Sequence, residues 1–125
     1  MKAKTNLTML CDFYELTMGN GYFQTGLQDR ICYFDVFYRT VPDKGGFAIA
    51  AGLAQVVEYI QSLHFDDEDI AYLRSKGCFS EEFLNYLRTF RFTGDIWAVP
   101  EGTPIFPNEP ILTVRAPAIQ AQFIE

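Results

Sequence analysis

The sequence has little positive charge, and its lysines stop early. Ten lysines and arginines stand against sixteen acidic residues, which gives a net charge of −6. Binding of nucleic acid needs clustered basic side chains, so this class of partner is excluded. No lysine lies between Lys76 and Glu125. Domains that carry biotin or lipoate attach the group to a lysine, so covalent carriage is also excluded.

Cysteine and histidine are scarce as well. Cys11, Cys32 and Cys78 form an odd set without the spacing of metal ligands, which is typical of reduced thiols in a cytoplasmic protein. His64 is the only histidine. No nucleophile or fixed carboxylate lies near it in the sequence, and its position at a predicted helix C-terminus favours a role as a helix-capping cation. We therefore predict neither a metal site nor a catalytic residue here.

Long hydrophobic segments are absent. No apolar run approaches the length of a membrane span, so no membrane association is expected. Residues 1–6 carry two lysines but no apolar stretch behind them, which argues against a signal peptide. Aromatic residues, in contrast, reach 16% of the chain, with twelve phenylalanines. Part of this apolar material is expected at a surface that meets a partner or further polypeptide.

Hydrophobic periodicity and turn residues predict a mixed chain of short elements. Thr8 is the predicted cap of the first helix, and Gly19 and Gly21 are expected to end it. The acidic run from Asp66 and the serine at position 80 mark the starts of two further helices. The predicted helices are 10–18, 53–63, 66–76, 80–90 and 118–125, and the predicted strands are 31–39, 47–51, 96–99, 103–106 and 111–115.

Two apolar faces are predicted for the helices. Leu53, Val56, Val57, Ile60 and Leu63 form the expected buried stripe of the second helix. The helix after Ser80 is expected to bury residues 83, 84, 87 and 90. Both sets follow the spacing of one helix face.

Tyr14 is the first candidate functional residue. It shares one helix face with Leu10, Phe13 and Thr17, which recur at intervals of three and four. A phenol combines a flat apolar ring with one polar group and suits stacking on another flat ring. Burial in the core is the alternative interpretation of the same residue.

Arg39 is the second candidate. It ends the predicted strand 31–39, where a planar guanidinium could bind a phosphate or carboxylate through two parallel hydrogen bonds. The alternative is a surface ion pair with Asp35 or Asp43.

Four blocks carry a family resemblance: CDFYELTM at 11–18, FDVFYR at 34–39, GGFAIAAGL at 45–53 and VPEGTPIFPNEP at 99–110. In this order and spacing the chain resembles the N-terminal part of nicotinate phosphoribosyltransferases. The resemblance implies an α+β fold of the β-hammerhead type, with residues 1–125 as a single N-terminal domain of a type II phosphoribosyltransferase. It also implies that the helix at 118–125 leads into a catalytic barrel beyond this sequence.

The resemblance implies a reaction and a set of ligand contacts. Nicotinate and phosphoribosyl pyrophosphate would give nicotinate mononucleotide, with ATP hydrolysis and Mg²⁺, in a homodimer. Asp12, Tyr14 and Thr17 match the D-x-Y-x-x-T motif, whose tyrosine stacks on the pyridine ring in the partner subunit's barrel. Arg39 matches an arginine that reaches phosphates, and Asp12 is a weaker candidate contact.

The activity of the chain has one expected outcome and two alternatives. Because the barrel residues are not part of this sequence, we expect no turnover from these 125 residues alone. A closely related nicotinamide-using enzyme is the first alternative, since this portion of the sequence does not decide between nicotinate and nicotinamide as the substrate. A binding or scaffold domain without catalytic activity is the second alternative.

Overall fold

The computed structural model describes residues 6–125, and these form an α+β fold. The predicted fold class is therefore confirmed. The helices are α1 (Phe13–Gln24), α2 (Leu53–Ser62), α3 (Asp67–Ser75), α4 (Glu81–Arg88) and α5 (Ala118–Phe123), with a 3₁₀ turn at Pro42–Lys44. The strands are β1 (Ile31–Val36), β2 (Ala48–Ile49), β3 (Asp95–Ala98), β4 (Pro104–Ile105) and β5 (Leu112–Pro117).

Strand β5 is the centre of the larger sheet. It pairs antiparallel with β1 on one side and β3 on the other, so that Val114 lies opposite both Phe34 and Ile96. Alternate residues of β5 are buried, as expected for a strand with one face on a core: Leu112, Val114 and Ala116. The two short strands β2 and β4 pair antiparallel in a separate sheet.

A helical core forms the other half of the domain. Helices α1, α3, α4 and α5 contribute most of its buried side chains. The ring of Phe123 lies 5.6 Å from that of Phe65 and 5.4 Å from that of Phe90, measured between centroids. Because α5 follows β5 directly, it joins this core to the sheet. The core residues are Leu16, Leu63, Phe65, Ile70, Leu73, Phe83, Leu84, Leu87, Phe90, Ile119 and Phe123.

The predicted starts of α3 and α4 are confirmed; the cap at Ser80 was predicted, whereas the cap at Asp66 was not. Asp66 Oδ1 accepts from the Asp69 amide at 2.9 Å, and the Asp69 carboxylate accepts from the Asp66 amide at 3.0 Å. This reciprocal pair is a capping box. Ser80 Oγ accepts from the Phe83 amide and caps α4. The buried face predicted for α4 is confirmed as well.

The predicted bounds of α1 were wrong. The helix begins at Phe13 and continues through Gly19 and Gly21 to Gln24. Gly19 is buried against the ring of Phe123, so it serves close packing inside the helix instead of ending it. Thr8 does not cap α1. Its hydroxyl accepts a hydrogen bond of 3.1 Å from the His64 amide.

The predicted buried stripe of α2 is only partly correct. Ile60 and Leu63 are buried, but Val56 is 37% exposed and Val57 is 40% exposed. Val56 lines an open cleft, so no neighbouring element covers it. At the end of the same helix, His64 Nδ1 lies 2.6 Å from the carbonyl oxygen of Ser62. The position expected for this histidine is therefore confirmed.

The strand predicted at 31–39 is shorter than expected. It ends at Val36, so Arg39 lies in the connection that follows β1. None of the helices found between residues 6 and 125 has the length and apolar character to cross a membrane.

Candidate functional site

The face of α1 that carries Tyr14 points outward. Leu10 is 78% exposed, Phe13 48% and Tyr14 47%, whereas the neighbouring Leu16 is only 2% exposed. Phe13 and Tyr14 therefore lie on the solvent side of α1, whereas Leu10 precedes the helix, so its predicted place on the same helix face was wrong. The aromatic ring of Tyr14 is accessible to a ligand, so burial in the core does not explain this residue.

A hydrogen bond links Tyr14 to the other end of the sequence. Its hydroxyl donates to Glu125 Oε1 at 3.3 Å. The second carboxylate oxygen of Glu125 accepts from Nε2 of Gln122, a residue of α5 that is 1% exposed. The packing of α5 against α1 brings these residues together. Sequence reasoning missed Glu125, because no local pattern indicates a contact between residues 111 positions apart.

Acidic groups surround the hydroxyl of Tyr14. Partial desolvation, followed by the charge of Glu125 and the hydrogen bond to it, raises the pKa of Tyr14. Glu15 is buried, and burial together with the charges of Glu125 and Asp12 raises the pKa of its carboxyl. Tyr14 therefore stays protonated at neutral pH and keeps its hydroxyl available as a donor.

Asp12 lies immediately before α1. It occupies the N-cap position with an extended backbone, and its side chain is exposed. Within residues 6–125 this side chain makes no capping hydrogen bond to the helix. Its carboxylate is therefore turned toward solvent close to Tyr14.

Arg39 is exposed in a groove beside β1. The groove has a volume of about 320 Å³ and is also lined by Phe34, Phe37 and Glu125. Asp35 accepts a 2.6 Å hydrogen bond from Thr113 Oγ1. Over the part of the chain that the structure describes, no ion pair joins Arg39 to Asp35 or Asp43.

Glu125 is a neighbour of Tyr14 and of the groove that contains Arg39. It bonds to Tyr14 and lines the groove of Arg39. Ile124 and Glu125 also border an apolar cleft of about 430 Å³ between α2 and the strands. On the far wall of this cleft, Glu101 Oε1 accepts from the amides of Gly52 at 2.9 Å and Ala54 at 3.3 Å.

The described residues do not offer a metal centre. Between residues 6 and 125, no group of three or more histidine, cysteine or carboxylate side chains has an arrangement that could hold a metal ion. The acids that follow Asp66 cap α3 instead. These described residues alone therefore provide no complete set of protein ligands for a metal ion, and we derive no step through a metal on this chain.

Comparison with known proteins identifies the family. Residues 9–125 match the family model described as the nicotinate phosphoribosyltransferase (NAPRTase) N-terminal domain. A nicotinate phosphoribosyltransferase of Mycobacterium tuberculosis is 46% identical over 117 residues, covering 94% of this chain and 25% of that protein. One from Bacillus subtilis is 37% identical, covering 96% of this chain and 24% of its own length.

Solved structures agree with the sequence comparison. The crystal structure of human nicotinic acid phosphoribosyltransferase matches with a TM-score of 0.82 and 32% identity, covering 90% of this chain and 23% of that one. Nicotinate-nucleotide pyrophosphorylase from Pyrococcus furiosus shares the fold, with a TM-score of 0.67 and 14% identity. The chain spans about a quarter of the length of these relatives. With its α+β fold and its match across residues 9–125, the chain belongs to the nicotinate phosphoribosyltransferase family, to whose N-terminal domain it corresponds.

Proposed function

We propose that this chain is the N-terminal domain of an enzyme that joins nicotinate to phosphoribosyl pyrophosphate. The products are nicotinate mononucleotide and pyrophosphate, and the reaction uses ATP hydrolysis and Mg²⁺. The enzyme acts in NAD biosynthesis in the cytoplasm as a homodimer. The match of residues 9–125 to the family's N-terminal domain is the observation that carries this proposal.

Tyr14 is the proposed contact with the pyridine ring. Tyr14 is 47% exposed on the outer side of α1, so its ring is accessible to a planar ligand. Stacking on such a ring is worth about 0.5–1.5 kcal/mol beyond the area that it buries. The ligand lies in the barrel of the partner subunit. By fixing the ring plane, Tyr14 helps to align the ring nitrogen with the anomeric carbon that it attacks.

Arg39 and Asp12 have supporting roles in this proposal. The exposed guanidinium of Arg39 binds phosphate oxygens of phosphoribosyl pyrophosphate or ATP, for which its planar donor geometry is suited. Stabilisation of the departing negative charge is the catalytic benefit of such a cation. Asp12 contacts the ligand or orients the start of α1.

The remaining components come from polypeptide outside this chain. Residues 6–125 provide no cluster for Mg²⁺, and the relatives are about four times as long. We therefore propose that the 125 residues alone do not catalyse turnover. Their contribution is to bind and orient substrates that the rest of the enzyme holds.

The test compares the 125-residue chain with the complete polypeptide that contains it. Each protein is incubated with labelled nicotinate, phosphoribosyl pyrophosphate and Mg²⁺, with and without ATP, and nicotinate mononucleotide is measured by chromatography. We expect product only from the complete polypeptide, with a higher yield when ATP is present. Product from the chain alone would refute its proposed inactivity. A parallel reaction with nicotinamide shows whether the enzyme prefers the amide as its substrate. No product from nicotinate or nicotinamide would favour a non-catalytic domain.

A further inference from the structure

We propose that Glu125 is a positioning residue for nicotinate binding, because its carboxylate holds the Tyr14 phenol in one orientation. Both carboxylate oxygens are used: Oε1 accepts from the Tyr14 hydroxyl at 3.3 Å, and Oε2 accepts from Gln122 Nε2. The inference rests on the proposed role of Tyr14 as the ring contact. It adds a residue that follows α5 to a contact otherwise formed by α1.

The fixed end of this arrangement is buried. Gln122 is 1% exposed, and its helix packs on α1 where Gly19 meets Phe123. Glu125 itself is exposed, but one of its carboxylate oxygens is held by this buried amide. Tyr14, in contrast, is about half exposed, and few neighbours restrict its ring. An exposed aromatic side chain loses rotational freedom on binding a ligand, and a hydrogen bond made beforehand reduces that loss.

The position of the hydrogen bond suits this role. It uses the hydroxyl at the edge of the ring, so the bond itself occupies neither face of the ring. A ligand can therefore stack on Tyr14 without breaking the bond to Glu125. No other hydrogen bond of the Tyr14 hydroxyl is found among residues 6–125.

The experiment is a double-mutant cycle in the complete enzyme. The variants are Glu125→Ala, Tyr14→Phe and the double variant, with Glu82→Ala as a matched control at an exposed carboxylate in the first turn of α4. We expect either single substitution to raise the KM for nicotinate about three- to tenfold, the usual range for one hydrogen bond, with kcat changed less than twofold. The double variant should resemble the single variants, because both remove the same bond.

A conservative variant provides rescue. Glu125→Gln keeps an oxygen that accepts from Tyr14, and the amide of Gln122 can turn to accept from the new donor. We expect its KM to return to within about twofold of the wild-type value. Equal effects of Glu125→Ala in the wild-type and Tyr14→Phe backgrounds would overturn the inference, as would an unchanged KM in Glu125→Ala. Melting temperatures of all variants show whether a change in KM reflects lost folding.

One further variant separates this inference from the proposed function. Tyr14→Ala removes the ring itself, and we expect a larger rise in KM than from Tyr14→Phe. If Tyr14→Ala has no effect, the proposed ring contact is wrong. If Tyr14→Ala raises KM while Glu125→Ala and Tyr14→Phe do not, the ring contact stands and the positioning role of Glu125 is refuted.

Discussion

Gly19 of α1 lies directly against the ring of Phe123 in α5. A Cβ atom at Gly19 would come within 2.9 Å of Cε1 and 3.0 Å of Cζ of that ring. Phe123 is itself buried between Phe65 and Phe90, so the ring has little room to move. This close approach of the two helices brings Glu125 to the hydroxyl of Tyr14.

Gly19→Ala should therefore destabilise the domain, although alanine is the better helix former. The added methyl group forces a shift in a packed core, which typically costs about 1–3 kcal/mol and outweighs a gain in helix propensity of about 1 kcal/mol. Gly21→Ala is the matched control, because the same helix has open space around a Cβ there. Urea denaturation should show a lower free energy of unfolding for the first variant and a higher one for the second. Stabilisation of the chain by both substitutions would contradict the packing argument.

Glu101 should stabilise the start of α2. Its carboxylate accepts from the amides of Gly52 and Ala54, which have no partner within a helix of their own. We expect Glu101→Ala to lower the free energy of unfolding by about 1 kcal/mol, as for the loss of a helix cap. Glu101→Gln should retain most of the stability, because an amide oxygen still accepts. The control Glu109→Ala, at another exposed carboxylate in a turn, should change the value by less than about 0.5 kcal/mol in the same denaturation experiment.

The domain should lose stability at alkaline pH. Burial raises the pKa of Cys11 to about 11 and that of Tyr59 to about 12. Both groups are neutral in the folded chain at a pH where the unfolded chain has already released the proton, so stability falls as the pH rises from about 9 to 12. The free energy of unfolding of Cys11→Ala, measured at pH 7 and at pH 10.5, should fall less between the two pH values than that of the wild type. An equal fall in both proteins would exclude Cys11 as a cause of the alkaline loss of stability.

Glu15 should lower the stability of the domain at neutral pH, so its replacement should stabilise the chain. Burial and the nearby charges of Glu125 and Asp12 raise its pKa, so the charged form is disfavoured in the folded chain. As the pH rises above the ordinary value of 4.5, this group lowers stability. Glu15→Gln should therefore raise the melting temperature at pH 7 and leave it nearly unchanged below pH 4. Glu68→Gln, at an exposed position in α3, should have little effect at pH 7, and a similar gain from both would refute the argument.

Local signals explain what the sequence could predict. The caps at Asp66 and Ser80 involve residues three positions apart, so their pattern is visible in the sequence. The strand ending at Pro117 follows a simple alternation, and its position was close to that expected. Elements of this kind are specified by their own residues.

Long-range contacts explain the errors. Gly19 and Gly21 resemble a helix end, and only the position of Phe123 shows why the first of them is needed inside α1. The three candidate contacts could be selected from the family motifs, but Glu125 could not, because its link to Tyr14 depends on how α5 packs. The exposure of Val56 is likewise a property of the cleft and not of the helix pattern.

The pairing of β1 with β5 sets an order of events during synthesis. Ile31 is paired with Pro117, so β1 leaves the ribosome long before its partner has been made. During that interval the aromatic strand lacks the hydrogen bonds that it has in the finished sheet. Unpaired strand edges of this kind bind chaperones or aggregate. The larger sheet of this domain can therefore form only after translation has passed β5, and a pause before that point would prolong the vulnerable state.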